Sequence, residues 1–331
     1  MEYRFLGSTG VRVSKVSFGT MTFGGEADMA ASRAMFELCL DRGINVFDCA
    51  DVYHGGESER ILGTLLRESG CRDNVVVTSK GYFPTGSGHN ERGSSRYHLV
   101  RTVEQSLRRL QTDRLDIFFL HRWDAMTDLD DTLRTLDTLV RSGKILYPAI
   151  SNFSAWQTAL AVERCKQLGL CPPACIQPMY NLVKRQAEVE ILPMAQHTSL
   201  GVMPYSPLGG GLLTGKYALD KSGDGRLTRV KMYATRYSNS EHYETAARFI
   251  KLAKEMGMDP VTLAVAWVAH HPAVTSPLLG ARNVEQLEPA IRAGDICLEP
   301  ELYARVSALS LAPAPATDRN EEKTADNFGN R

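Results

Sequence analysis

With 331 residues the chain has room for one large domain or two medium ones, and its 43% hydrophobic and 23% charged content is that of an ordinary soluble enzyme. Its 38 basic and 38 acidic side chains cancel, which removes any long-range electrostatic reason to expect nucleic acid or an anionic membrane as partner. Seven scattered cysteines behind an N-terminus without a signal-peptide pattern read as reduced thiols of a cytoplasmic protein, and Cys171 and Cys175 lack the second ligand pair of a zinc site, so no metal is expected.

Alternating segments at 3–6 and 11–13 flank Gly7, Ser8, Thr9 and Gly10. This is a hairpin signal, and because it precedes the repeating pattern it is expected to plug the far end of a barrel. Residues 16–19 read as the first barrel strand and 20–25 as its loop. A helix is predicted over 30–41, stopped by Gly43. The next strand ends at Asp48, and a phenol, Tyr53, follows just before Gly55 and Gly56; Ser58 is expected to cap a short helix over 59–66. Strand 75–79 delivers Lys80, and the polar loop 81–93 is long enough to serve a site.

Helix 95–110, strand 115–120 ending on His121, and helix 129–140 continue the alternation. A fifth strand ends at Asn152, helix 155–168 follows, a short sixth strand ends at Gln177, and helix 188–197 leads to a seventh strand ending at Tyr205. From 206 to 239 the pattern lapses, as expected of a structureless functional insert. Helices resume over 241–256 and 261–270, strand eight is 276–279, and 284–293 is the last barrel helix. Eight strand–helix units predict a single (β/α)8 barrel over 1–311, with the N-terminal hairpin and an added C-terminal helix over 300–309. The polar tail over 312–331 suits either a disordered end or a flap over the barrel mouth.

A parallel barrel gathers all its strand ends on one rim, so the terminal polar residues should converge. Singly, an Asp or Lys there suits a salt bridge, a Tyr packing, and a His a satisfied polar group. Together Asp48, Tyr53, Lys80 and His121 form a proton-donating device. A free phenol, with a pKa of about 10, holds its proton at neutral pH; a neighbouring ammonium stabilises phenolate, and a carboxylate pins that ammonium. The imidazole of His121 is placed to hydrogen-bond the same substrate oxygen. The set suits protonation of a carbonyl oxygen while hydride arrives at carbon, and none of the four supplies a hydride, so a cofactor must.

Over about residues 3–310 the chain resembles an aldo-keto reductase of the longer-loop bacterial type, similar to potassium-channel β-subunit-like members. The resemblance rests on Gly19, Thr20 and Met21, the 47–53 run, Lys80, Leu120 and His121, the 151–153 and 177–181 runs, the 205–217 run, and 280–287. It implies NADPH bound without a Rossmann motif, and no Gly-x-Gly-x-x-Gly follows the first strand. By position Asp48, Tyr53, Lys80 and His121 match the catalytic four. Ser151, Asn152 and Gln177 match the residues that hold the nicotinamide carboxamide, and Tyr205 the aromatic that stacks on its ring. Ser206, Pro207, Leu208, Gly210 and Leu212 match the pyrophosphate loop, with Lys216 and Arg226 alongside, and Gly280, Arg282 and Gln286 follow strand eight. Arg282 sits where the family contacts the adenosine 2'-phosphate, which implies NADPH over NADH.

Cys49 replaces the small hydroxylated residue usual after the catalytic Asp, His54 follows the phenol directly, and Pro289 and Ala290 stand where many relatives hold the adenine with Glu and Asn. Phe23, Tyr53, His54, Phe83, His121 and Trp123 are the expected substrate contacts, although His54 suits solvent and Trp123 suits packing under the fourth helix equally well. The expected activity is NADPH-dependent reduction of an aldehyde or ketone, on a small-molecule carbonyl substrate, in a protein that leaves room for homo-oligomers. The alternative is an NADPH-binding regulatory or redox-sensing subunit with slow turnover.

Overall fold

Short, mostly apolar and mostly buried runs form the barrel strands; this is the signature of strands enclosed between a core and a coat of helices. The structure, a computed structural model, describes residues 1–217, 219 and 222–317. An antiparallel hairpin of β1 (Tyr3–Phe5) and β2 (Arg12–Ser14) comes first. The parallel strands are β3 (Ser17–Gly19), β4 (Val46–Asp48), β5 (Val76–Gly81), β6 (Leu115–Leu120), β7 (Ile145–Ser151), β8 (Cys175–Gln177), β9 (Gly201–Val202) and β10 (Leu278–Leu279).

Each parallel strand pairs with the next, and β10 returns beside β3. Amides of Thr275 and Leu278 donate to Val202 O at 2.8 Å and Pro204 O at 2.9 Å, which closes the ring into the expected (β/α)8 barrel. Helices α1 (Met29–Asp41), α2 (Glu57–Ser69), α3 (Arg96–Leu110), α4 (Leu129–Arg141), α5 (Ala155–Leu168) and α6 (Ile191–His197) alternate with the strands. Side chains of Asp28, Ser95, Asp128 and Ser154 accept the free amides that start α1, α3, α4 and α5, each cap contributing about 1 kcal/mol. After β9 come α7 (Arg226–Arg229), α8 (Lys231–Arg236), α9 (Ser240–Glu255) and α10 (Pro260–His270), and after β10 come α11 (Val284–Arg292) and the added α12 (Pro300–Ser307).

Val46, Val76, Ile117, Phe119, Ala149, Cys175, Met203 and Leu278 fill the barrel interior, and Leu6 and Val13 of the hairpin join them. The hairpin therefore plugs the barrel as expected. Its turn presses so closely on β9 that a Cβ at Gly7 would meet Gly201 N and Ser199 O at 2.6 Å.

Three expectations change. Ser58 does not cap α2: Gly56, in the left-handed region at φ 88°, ends the preceding turn, so the helix starts at Glu57. Ser58 then lies inside the first turn, buried, and its hydroxyl donates to Thr20 O at 2.7 Å. The 206–239 stretch is not structureless, because it carries a tight turn over Gly209–Thr214 and then α7 and α8. Buried Leu227, Tyr233 and Tyr237 fold it back onto Gly210, where an added Cβ would stand 3.1 Å from Tyr233 and 3.2 Å from Tyr237. Residues 312–317 carry neither helix nor strand, and the rest of the tail on which a flap or disordered end was expected, 318–331, lies outside the described residues.

Candidate active site

The register places Asp48 of β4 opposite Thr78 of β5, so the next residue on β5 that faces the same way, Lys80, comes up beside the turn after Asp48. Lys80 Nζ donates to Asp48 Oδ2 at 2.5 Å and to Cys49 O at 2.7 Å. The other oxygen, Oδ1, accepts from Thr78 Oγ1 at 2.6 Å and Gln177 Nε2 at 3.0 Å. Lys80 is fully buried and Asp48 2% exposed, so the pair escapes the solvent screening that weakens surface ion pairs. The ammonium lies 5.2 Å from the centre of the Tyr53 ring. The imidazole of His121 stands edge-on to that ring at 6.2 Å, and Phe83 packs edge-on to the imidazole at 4.8 Å. The four expected catalytic residues are thus brought together.

Burial pulls the Lys80 ammonium down, but the negative charge of Asp48 and the Tyr53 hydroxyl outweigh it, and its pKa stays above the ordinary lysine value. For Tyr53 the balance runs opposite to the sequence expectation. Although part of the side chain shows at the rim, its titrating oxygen sits deep, and burial pushes it up to about 12 despite the downward pull of Lys80. The phenol is therefore held as a proton donor. Burial, with Lys80 beside it, pulls His121 down to about 3, so the ring is a neutral imidazole at working pH.

On the adjoining strand ends Ser151 Oγ donates to Gln177 O at 2.8 Å, Asn152 Nδ2 donates to His121 O at 2.9 Å, and Tyr205 OH donates to Asn152 Oδ1 at 2.8 Å. His54, Asn152 and Ser206 are three of the five non-glycine residues with positive φ among the described residues, and all three border this site. Such conformations cost on the order of 1 kcal/mol each and persist where the surroundings fix them.

Gly209, Gly210 and Gly211 all take positive φ beyond Ser206, Pro207 and Leu208. Leu212 is buried, so only its backbone is available there. Lys216 folds over this turn, its Cε 2.9 Å from where a Cβ of Gly211 would stand. Burial, then the charges of Arg282 and Arg226, hold the Lys216 ammonium below the ordinary lysine pKa, which shows three cations crowding one place. Among the described residues Glu26 lies 3.9 Å from Arg226, and the other acid here, Asp224, pairs with Arg229 at 2.7 Å, so the described cations outnumber the described acids. A glycine turn beside surplus cations fits a phosphate-bearing ligand. At the start of α11, Arg282 N donates to Gln286 Oε1 at 3.3 Å.

Gly19 ends β3 next to Leu279 O, Gly280 is open to an added side chain, and Met21 is exposed. Thr20 is fully buried, its hydroxyl committed to Asp48 O at 3.1 Å and Ser58 Oγ at 2.9 Å, so it braces the site from behind. Among the substrate expectations Phe83 stands at the His121 imidazole. Phe23 is corrected: it is fully buried and its ring packs 5.7 Å from Phe18, because the 20–27 loop turns inward through Phe23. Exposed His54 donates from Nε2 to Met21 O at 3.0 Å over Gly25, and Trp123 packs edge-on against Phe153 and Trp156 at 5.3 and 5.6 Å and lines a small cavity with Leu129 and Thr132 of α4.

Thr78, the third anchor of Asp48, escaped the sequence reading, although its place two residues before Lys80 puts it on the same face of the strand. So did the roles of buried Asp51 and Glu59 and of half-buried Arg109, behind the turn.

A parallel barrel whose strand ends join a phenol, a buried lysine–aspartate pair and a neutral imidazole beside a cationic groove defines an oxidoreductase of the barrel type. The sequence profile of the aldo/keto reductase family matches residues 15–310. The chain belongs to that family. An "Uncharacterized oxidoreductase YrpG" of Bacillus subtilis (strain 168) is 36% identical over 326 residues, 96% of this chain and 98% of its own. A "Probable voltage-gated potassium channel subunit beta" of Oryza sativa subsp. japonica is 36% identical over 316 residues, 93% and 96% of the two chains. One of the same description from Arabidopsis thaliana is 35% identical over 301 residues, 89% and 92%.

Proposed function

We propose that this protein reduces an aldehyde or ketone to an alcohol with NADPH, Tyr53 being the general acid. The observation that carries the reading is the buried Lys80–Asp48 pair set against the Tyr53 ring, with neutral His121 alongside. When bound, the dinucleotide supplies hydride to the carbonyl carbon. The carbonyl oxygen then collects the bonding pair and takes the proton of Tyr53 Oη, leaving a phenolate beside the Lys80 ammonium that is reprotonated from solvent. His121 donates a hydrogen bond to the same oxygen, and Asp48 keeps Lys80 charged and fixed. The resemblance and the groove support Ser151, Asn152, Gln177 and Tyr205 as holders of the nicotinamide, and the 206–212 turn with Lys216 and Arg226 as holders of the phosphates. Among the described residues no helix is long and apolar enough to cross a membrane.

Purified protein is expected to oxidise NADPH, followed by absorbance, in the presence of at least one member of a panel of aromatic aldehydes, quinones, sugar aldehydes and cyclic ketones. Tight NADPH binding without turnover on any of them would favour a regulatory subunit instead.

Arg282 faces the cation cluster from the start of α11, where the helix N-terminus adds its own attraction for an anion. Arg282→Ala is expected to weaken NADPH by about 10- to 100-fold, the worth of one charge-assisted contact, and NADH by less than about twofold. Fluorescence titration with both nucleotides measures this, and an unchanged preference would remove the phosphate role.

A further inference from the structure

Behind the catalytic turn lies a charged cluster that the reaction above does not use. Asp51 is 2% exposed, and neither of its carboxylate oxygens has a hydrogen-bond partner among the described residues. Its backbone amide donates to Lys80 O at 3.1 Å, so it rides on the segment joining Asp48 to Tyr53. From α2 the fully buried Glu59 faces it, and from α3 Arg109. Arg109 Nε donates to Glu59 Oε2 at 2.5 Å, Ser79 Oγ of β5 donates to Glu59 Oε1 at 2.5 Å, and Arg109 Nη2 is buried with no partner among the described residues. Gly63 allows the arrangement: a Cβ there would meet the Arg109 and Leu110 backbone at 2.6 Å, so only glycine lets α3 come near enough to bring Arg109 under the turn.

The charge count is uneven. Asp48 already answers Lys80, and Glu59 already answers Arg109. A second carboxylate beside Glu59 has no cation of its own. We propose that Asp51 is a positioning residue that retains a proton at neutral pH, that the neutral acid seats the turn presenting Tyr53 between α2 and α3, and that its ionisation sets an alkaline limit on turnover separate from Tyr53's own. Burial and then the Glu59 charge raise the carboxyl to about 8, against the pull of Arg109, of the Val52 amide, which falls short of a hydrogen bond, and of Lys80. Loss of that proton puts a second negative charge against Glu59 and forces the turn apart at the residues that align the phenol.

The consequence for stability has a defined sign. A carboxyl whose folded pKa lies above its unfolded value of about 3.9 favours folding most below that value, and the advantage is lost as pH rises towards the folded pKa of about 8. Asp51→Asn keeps shape and neutrality without the titration. Its Tm is therefore expected to exceed that of the wild type by a margin that widens from pH 5 to pH 8 and is level above pH 9.

The kinetic part rests on the reductase reading. With any active carbonyl substrate, wild-type turnover is expected to be halved near pH 8, the apparent pKa of Asp51, and Asp51→Asn to stay within about 1.5-fold from pH 6 to pH 9. Glu59→Gln frees Arg109 for Asp51 and should move the wild-type step to lower pH. Difference infrared spectra between pH 6 and pH 10 should show a protonated-carboxyl band absent from Asp51→Asn. If the Tm margin is the same at every pH and no such band is lost, Asp51 holds no proton and the inference fails. If the margin and the band behave as stated but wild type and Asp51→Asn share one pH–turnover profile, the kinetic limit is overturned. Absence of turnover on the whole panel would instead overturn the reductase reading, and the Tm and infrared results would still decide the protonation of Asp51.

Discussion

Tyr53→Phe is expected to lower turnover by about a hundred- to ten-thousandfold, the range a single general acid supplies, while NADPH binds within about twofold of the wild type. The substitution removes one oxygen and leaves the ring. That ring keeps its place 5.2 Å from the Lys80 ammonium and 6.2 Å from the His121 imidazole, so packing of the rim should survive. What disappears is the proton for the nascent alkoxide. His121 does not replace it, because an imidazole held down at about 3 carries no extra proton to give at neutral pH. NADPH absorbance for turnover and fluorescence titration for binding separate the two effects. Activity equal to the wild type would end the assignment of Tyr53, and a parallel loss of NADPH affinity would make it a binding residue instead.

The other large effect is on the fold and the chemistry at once. Lys80→Met is expected to abolish turnover and to destabilise the protein by about 3–5 kcal/mol, because it leaves the Asp48 carboxylate buried without its cation. Thr78 and Gln177 still donate to Oδ1, but neutral dipoles offset only part of the cost. Adding Asp48→Asn to Lys80→Met removes the stranded charge and should recover most of that stability without restoring turnover. Urea denaturation of the single and double variants, with turnover measured beside it, tests the pair. A single variant as stable as the wild type would mean that the buried ion pair contributes nothing to holding β4 and β5 in register at the site.

The barrel was legible because its strands announce themselves twice. Runs such as 75–77 and 117–120 are apolar, which suits strands covered on both faces, and a charged or imidazole side chain, Lys80 or His121, stands at the strand end that follows. The rim follows from that punctuation, and so do Asp48, Lys80, His121, Asn152 and Gln177, one per strand end. Tyr53 followed from its distance past Asp48 and the glycines after it. Caps were less readable, since Ser58 has the right chemistry for an N-cap, and the left-handed Gly56 two residues before it starts the helix at Glu57, two residues too early for that use.

Aromatic residues were the least readable. Phe23 and Phe83 both lie in loops at the rim, and composition gives no way to tell them apart. One turns in upon Phe18 and the other stands at His121, a difference made by contacts from distant strands. Similarly, the 206–239 stretch shows no long periodicity, yet Leu227, Tyr233 and Tyr237 anchor short helices against glycines that carry no signal of what will cover them.

By itself the sequence determined the alternation of strands and helices, the plugging hairpin and the kinds of chemistry at the strand ends, because these are set by local periodicity and by which residue ends each run. Only the tertiary structure decided how those groups behave. The net elevation of the Tyr53 hydroxyl, the neutrality of His121, the gathering of Lys216, Arg226 and Arg282, and the lone carboxyl of Asp51 between α2 and α3 all depend on burial and on charges brought from far along the chain. Those are through-space quantities, and a residue's neighbours in sequence do not fix them.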